Sequence, residues 1–327
     1  MTRNILFAIL LTSLSMSTIN IPENLSTSMT INKLSSSLET PADKSPYQAE
    51  IAKWRTETEA KLKSDQGWLS VAGLYWLTEG ENRIGTDQSC QVVLPKDSAP
   101  AYIGSIVLNK GKAIFQPAKD AKVSVLDKVL TSELALTSDV DGKPEILTIN
   151  DLSMFLIKRG DHRGDRYGIR LRDKNSPFRK HFTGLTWYEA DEKYRVEAKF
   201  IPHDQPKTLS VTSIIGDITE EASPGYVVFT IDGQKFELQA ENSSGGRLFI
   251  NFKDLTNGKT TYPAGRFLYT DPPKDGKVIL DFNKTVNPPC AFTAYATCPL
   301  PPQPNRLSIK IEAGEKTYHY DEADAHK

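Results

Sequence analysis

An excess of either charge is missing from this sequence. Across 327 residues, 40 Lys and Arg stand against 41 Asp and Glu, for a net charge of −1. No global field therefore exists to gather nucleic acid or an anionic bilayer, and neither is an expected partner. Catalytic signatures are missing too. There is no H-E-x-x-H, no phosphate-binding G-x-x-x-x-G-K-[ST] loop and no G-x-G-x-x-G turn. No G-x-S-x-G elbow occurs, and Gly104-Ser105 lies within a strand-like run. Histidine is scarce: His162, His181, His203, His319 and His326 are each isolated, without metal-ligand spacing. No metal or cofactor is expected. A triad assembled in space leaves no local motif, so whether the chain is an enzyme stays open.

Long hydrophobic runs are equally rare. With 39% apolar residues and a mean hydropathy of −0.41, the composition is that of a soluble globular protein. The one notable run, Ile5–Met16, follows Arg3 and is too short to span a bilayer. A basic start, a short apolar core and the small residues Ser15 and Ser17 read as a secretory signal peptide over residues 1–19. No cysteine follows it to carry a lipid anchor. Residues 20–44, rich in Ser, Thr and Asn, read as a flexible leader. The expected location is extracytoplasmic, periplasmic or secreted, with no integral membrane segment.

What is present is a β pattern behind one helix. Over residues 45–66, Ser45 suits an N-cap, Pro46 the first helical position and Gln48 a capping box. Tyr47, Ile51, Trp54, Thr58 and Leu62 then recur at helical spacing, predicting a helix that packs as a strap. From Trp68 onward the pattern is short strands separated by turn residues, predicting a β-sandwich over 67–160. Residues 161–327 read as a second antiparallel β domain, a barrel or sandwich. Its expected strands include 193–200, 209–215, 225–231, 235–240, 247–252, 260–270, 277–282 and 306–313, with Asp232-Gly233 as a hairpin turn.

The strand order of the first β unit resembles a forkhead-associated sandwich. That resemblance implies a phosphothreonine reader with an Arg after the first Gly. Thr86 stands there after Gly85, so the charged donor is lacking and phosphopeptide recognition is not expected.

Two stretches carry the candidate chemistry. In the strand around RYGIRLRD, Tyr167, Ile169 and Leu171 point one way and Arg166, Arg170 and Arg172 the other, with Arg179 close behind. Clustered guanidiniums need anions among them. Two readings follow: an internal network with Asp161, Asp165 and Asp173, which is favoured, or a site for an anionic ligand.

The second stretch, Asp281–Arg306, holds Pro288, Pro289, Pro299, Pro301, Pro302 and Pro304 together with Cys290 and Cys298. Proline fixes φ and removes a donor, which excludes a helix and a central strand. In an exported protein Cys290 and Cys298 read first as a disulfide, then as two buried thiols, and last as a metal pair of the wrong spacing. Asp281 and Asn283 enter the loop, and Asn305 and Arg306 leave it. If the loop folds back, these ends frame a polar pocket with the arginine strand; the competing and favoured reading is turn capping.

Together GWLSVAGLYWLTEGEN, RYGIRLRD, GKTTYPAGRFLY and VILDFNKTVNPPCAFTAYATCPLPPQPNRLSIKIEAGEK resemble the bacterial family known as domain of unknown function 1684, over roughly residues 47–320. The resemblance implies a shared structure and supplies no reaction, cofactor or catalytic residue. It marks Arg170, Arg172, Asp173, Arg266, Asp281, Asn283, Asn287, Cys290, Cys298, Asn305, Arg306, Glu312 and Glu315 as motif positions. Three functional classes follow. The leading one binds a small anionic molecule in the C-terminal β domain, through Arg166, Arg170, Arg172, Arg179, Asp281, Asn283, Asn305 and Arg306. The others are a hydrolase using Asp281 with the arginines, and a structural or interaction module whose protein partner is not predictable from the sequence.

Overall fold

Ser45 opens the described chain as a helix cap. The computed structural model describes residues 45–319; the expected signal peptide and leader lie outside them. The Ser45 hydroxyl accepts the Gln48 N–H at 3.2 Å, and Gln48 Oε1 accepts the Ser45 N–H at 3.1 Å. This capping box starts α1 (Pro46–Lys63) where the sequence predicts it. Ile51 and Leu62 are buried, and Trp54 meets Trp187 edge-on at 5.7 Å. Arg55 Nη2 donates to the Tyr188 carbonyl at 2.9 Å, and Tyr47 Oη donates to Asp281 at 2.8 Å. The helix is a strap laid across residues of the second half.

Eleven short strands follow: β1 (Val71–Trp76), β2 (Gly80–Gly85), β3 (Val92–Val93), β4 (Gly104–Asn109), β5 (Lys112–Pro117), β6 (Ser124–Val125), β7 (Lys128–Val129), β8 (Leu134–Leu136), β9 (Leu147–Ile149), β10 (Leu152–Asp161) and β11 (Gly164–Asp173). They form two sheets, β1-β11-β10-β9-β6-β7 and β3-β2-β4-β5-β8. Both contribute to one core, with Ile84, Ile106 and Phe115 from one sheet and Met154, Ile169 and Leu171 from the other. The sandwich extends past the expected boundary at residue 160. β11, read as the start of the C-terminal domain, pairs with both β10 and β1. The alternation predicted for it is observed: Ile169 and Leu171 face the core, so Arg166, Arg170 and Arg172 lie on the opposite face.

After a short helix α2 (Pro177–Lys180), the remaining strands are β12 (Arg195–Thr212), β13 (Ile218–Ile231), β14 (Gln234–Asn242), β15 (Leu248–Phe252), β16 (Arg266–Tyr269) and β17 (Lys277–Asp281). They form one antiparallel sheet ordered β16-β15-β14-β13-β12-β17, curled into an open half-barrel. The β13–β14 turn places Asp232 at φ 50° and Gly233 at φ 76°, both on the left-handed side that a type I′ hairpin needs.

The closing strand expected over 306–313 is not formed. Leu307, Ile311 and Ala313 still enter the half-barrel core, but the carbonyls of Ile311 and Ala313 accept the Arg266 guanidinium, at 2.9 and 2.6 Å. A buried arginine takes the acceptors that a ladder would use. That guanidinium also pairs with Asp254 at a fully buried site.

The proline loop has no strand or α-helix, as its composition predicts, only 3₁₀ turns at Phe282–Lys284, Pro289–Ala291 and Gln303–Asn305. It is packed rather than slack. Ala291 and Phe292 join Leu62 and Leu69, while Ala296 and Cys298 join Phe267. Among the described residues no helix is long and apolar enough to cross a membrane.

Candidate functional site

The outward face of β11 stacks its arginines on rings. Arg166 lies 4.5 Å above Trp76, Arg170 5.0 Å from Trp68, and Arg172 4.9 Å from Phe155. Their counter-ions differ. Arg166 Nη2 bonds both carboxylate oxygens of Asp217, at 2.5 and 2.6 Å. The network expected with Asp161, Asp165 and Asp173 does not reach these arginines. Asp161 pairs with Arg163 and Asp165 with Lys158, and Asp173 accepts the Asn175 N–H. The reason is parity: Asp165 and Asp173 sit at odd positions of β11, on the face opposite the even-numbered arginines.

Arg170 is the anomaly. It is 4% exposed, and no carboxylate among the described residues pairs with it. Its Nε has no partner, and the bond from Nη2 to Thr297 Oγ1 is long, at 3.4 Å. Burial, reinforced by the charge of Arg159, pulls its pKa from 12.5 down to about 10. Arg172 is likewise lowered by burial, with an unpartnered Nε. An uncompensated buried charge costs several kcal/mol, only part of which a stacked ring returns.

Arg159 brings this face to the proline loop. It grips Asp139 with two bonds, at 3.0 and 2.9 Å, and its Nε donates to Thr297 Oγ1 at 2.9 Å. Thr297 thus accepts from Arg159 and Arg170 together. In front of it opens a cleft of about 490 Å³ between β10 and the β12–β13 hairpin. Lys158, Arg159 and Thr297 line it, as do Asp217, Glu221 and Glu241. Asp165, also at the wall, is held by Lys158 at 2.9 Å. Burial, and secondly the Glu221 charge, push Glu241 up to about 7, so the cleft carries less negative charge than its carboxylates suggest.

The remaining predicted residues are dispersed. Arg179 pairs with Asp65 at 2.7 Å and donates to the Lys63 carbonyl at 2.8 Å, tying α2 to the end of α1. Asn283 is fully buried; its Oδ1 accepts the Asp191 N–H at 3.0 Å, and its Nδ2 donates to the Asp191 carbonyl at 2.8 Å. Asp281 accepts from Tyr47. Asn305 bonds the N–H and carbonyl of Gln239, at 2.7 and 2.9 Å, and Arg306 is exposed beside Lys253. The two loop ends therefore have separate partners, and their amides do the capping work described for turn residues.

Cys290 and Cys298 are free thiols, with the Cys290 N–H donating to Cys298 Sγ at 3.2 Å; the disulfide expected between them is not formed. The hydrogen bond from the Cys298 thiol lowers Cys290, and the same bond with burial raises Cys298. Among the described residues no group of three His, Cys, Asp or Glu side chains is placed to hold a metal.

Sequence reasoning missed Arg159, Thr297, Glu221 and Glu241. Arg159 opens the same arginine-rich stretch, and Thr297 adjoins Cys298, so both had a signal. The two glutamates lie on separate strands, some 20 residues apart, and had none.

No curated protein matches the chain. Among solved structures it is similar to an uncharacterized protein of Haloarcula marismortui determined by solution NMR. The two are 32% identical over 42% of this chain and 79% of that one, with a TM-score of 0.37. Residues 180–316 match the model of DUF1684, described as a protein of unknown function, and so cover the half-barrel and the proline loop. Through this stretch the chain belongs to the DUF1684 family.

Proposed function

We propose that this is an exported protein that binds a small anionic ligand in the cleft before Thr297, with Arg159 and Arg170 as its anchors. One observation carries the reading: Arg170 is a buried guanidinium with no carboxylate partner, beside a second guanidinium that is already matched. A carboxylate or phosphate group bonded to Arg159 and Thr297 in the cleft would bring the missing countercharge up to Arg170, which lies behind Thr297. The volume of about 490 Å³ lies within the usual range for small-molecule sites. Compared with the sequence reading, the ligand would sit between the sandwich and the half-barrel rather than wholly within the C-terminal domain, and Asp281, Asn283, Asn305, Arg306 and Arg179 would take no part.

The test is titration of the full chain with inorganic phosphate and with mono- and dicarboxylates at low ionic strength, followed by calorimetry and by intrinsic tryptophan fluorescence. Saturable binding that Arg170→Gln removes is the expected result. Heats unchanged by Arg170→Gln, or no binding of any anion, would overturn the reading. Export rests on the pattern of residues 1–19. It is tested by N-terminal sequencing of protein from the extracytoplasmic fraction, where a chain retaining Met1 would count against it.

One observation favours a hydrolase as the second reading. Glu241 titrates near neutrality in the same cleft, as a general acid–base group must. Turnover of an ester or phosphoester panel that Glu241→Gln abolishes would move the proposal to this class.

A further inference from the structure

Exposed large apolar side chains lie at the cleft and beside it. Val140, 61% exposed, lines the cleft, and the β12–β13 hairpin, whose Ser213 and Asp217 also line it, carries Ile214 and Ile215 at its tip, 43 and 37% exposed. Scattered exposed apolar residues need no explanation, but a cluster next to a binding cleft marks a contact surface.

Hydrogen bonds and an ion pair hold the tip in this position. Ser213 N–H donates to the Asp217 carbonyl at 2.7 Å, Asp217 N–H donates to Ser213 Oγ at 3.1 Å, and the Asp217 carboxylate is gripped by Arg166. It is also joined to the charged end of the cleft. Ile214 N–H donates to the Cys298 carbonyl at 2.8 Å, and Leu300 N–H to the Thr212 carbonyl at 2.8 Å. Cys298 directly follows Thr297, the residue on which Arg159 and Arg170 converge. Arg159, Thr297, Val211, Pro299 and Ser213 thus line one continuous cleft that leads to the hairpin tip, with Arg170 buried behind Thr297.

A short inorganic anion would use the charged end of this cleft and leave the apolar residues bare. We infer that the ligand is an amphiphilic anion, with an acidic head at Arg159 and Thr297, backed by the buried Arg170, and a straight hydrocarbon tail that runs along Val211, Pro299 and Val140 and out to Ile214 and Ile215 at the hairpin tip. This rests on the anion-binding reading above and names the ligand class for that site.

The test is a homologous series. The full chain is titrated with straight-chain alkanoates from acetate to decanoate, below their aggregation concentrations, and with the matching alkanols. Each buried methylene contributes about 0.8 kcal/mol, or roughly a fourfold gain in affinity. The expected result is a stepwise rise of that order through the middle of the series, with each alkanol at least tenfold weaker than its alkanoate. Ile214→Ser combined with Ile215→Ser should flatten the rise and leave acetate and butyrate unchanged.

Anions that bind with equal affinity at every length would sink the tail assignment alone. Failure of every anion, short and long, would sink the anion-binding reading itself. Decanoate and decanol binding alike, unaffected by Arg170→Gln, would show an unspecific apolar patch and overturn both. Concentration-dependent dimerisation removed by the isoleucine pair would assign the hairpin tip to a second copy of the chain and overturn the inference.

Discussion

Replacing Arg170 with methionine should raise the melting temperature of the ligand-free protein. At neutral pH the folded chain holds this guanidinium charged although burial has drawn its pKa from 12.5 to about 10. Each pKa unit is about 1.4 kcal/mol of preference between protonation states, so the charge is held there at a cost of about 3 kcal/mol. Methionine spans a similar hydrocarbon stem, keeps contact with Trp68 and leaves only a small cavity. What is lost is the ring–cation attraction, about 1–2 kcal/mol at a desolvated site, and a long bond to Thr297 of little strength. The balance favours the variant by about 1–2 kcal/mol, or roughly 2–5 °C for a chain of this size.

Circular dichroism melts at pH 7 measure this directly. The sign with pH is also determined. Because the folded pKa lies below the unfolded one, Arg170 destabilises the fold fully below about pH 10, and that penalty is relieved as pH climbs from there toward the unfolded value. The variant should lack this contribution. Saturating anion should raise the wild-type melt, by about 2.7 kcal/mol at a hundredfold excess over Kd, and leave the variant unmoved. A melt several degrees lower for Arg170→Met would refute the reasoning and make the guanidinium a structural member of the interface.

Arg266→Met should do the reverse. It strands Asp254 and the carbonyls of Ile311 and Ala313 in the core, a loss of about 3–5 kcal/mol visible in urea denaturation; a loss under 1 kcal/mol would contradict the role assigned to it. Glu315, buried and bonded by Asn287, is pushed up to about 8 by desolvation. Its raised folded pKa contributes stability in full below the unfolded value of 4.5, lost as pH rises through 8. The urea midpoint should therefore fall by the equivalent of a few kcal/mol between pH 5 and pH 9, and a flat profile would argue against it. Glu241 should make anion affinity fall as pH rises through about 7, because its ionised form adds negative charge to the cleft; Glu241→Gln should abolish that dependence. Treatment with oxidised glutathione should join Cys290 to Cys298, seen as two thiols lost from a count in urea, and stabilise the loop by about 2–3 kcal/mol. Retention of all three thiols would show that the pair is structural as dithiol.

Features that depend on near neighbours in the chain were readable without coordinates. The Ser45–Gln48 capping box, the alternation of Arg166, Arg170 and Arg172 against Ile169 and Leu171, the Asp232-Gly233 hairpin and the exclusion of regular structure from the proline loop all follow from backbone sterics and side-chain period. The same alternation already placed Asp165 and Asp173 on the wrong face to neutralise those arginines. Contacts between distant segments were not readable. The strand expected over 306–313 was lost because Arg266, some 45 residues earlier, captures its carbonyls. Turn capping was the favoured reading of Asn283 and Asn305, but that the backbone groups they bond belong to Asp191 and Gln239, far away in the chain, was not. Glu241 looked like any polar strand residue until folding set it beside Glu221 in a cleft. Local pattern determined which face of β11 carries charge, and tertiary packing alone decided which of those charges has a partner, because a counter-ion can come from anywhere in the chain.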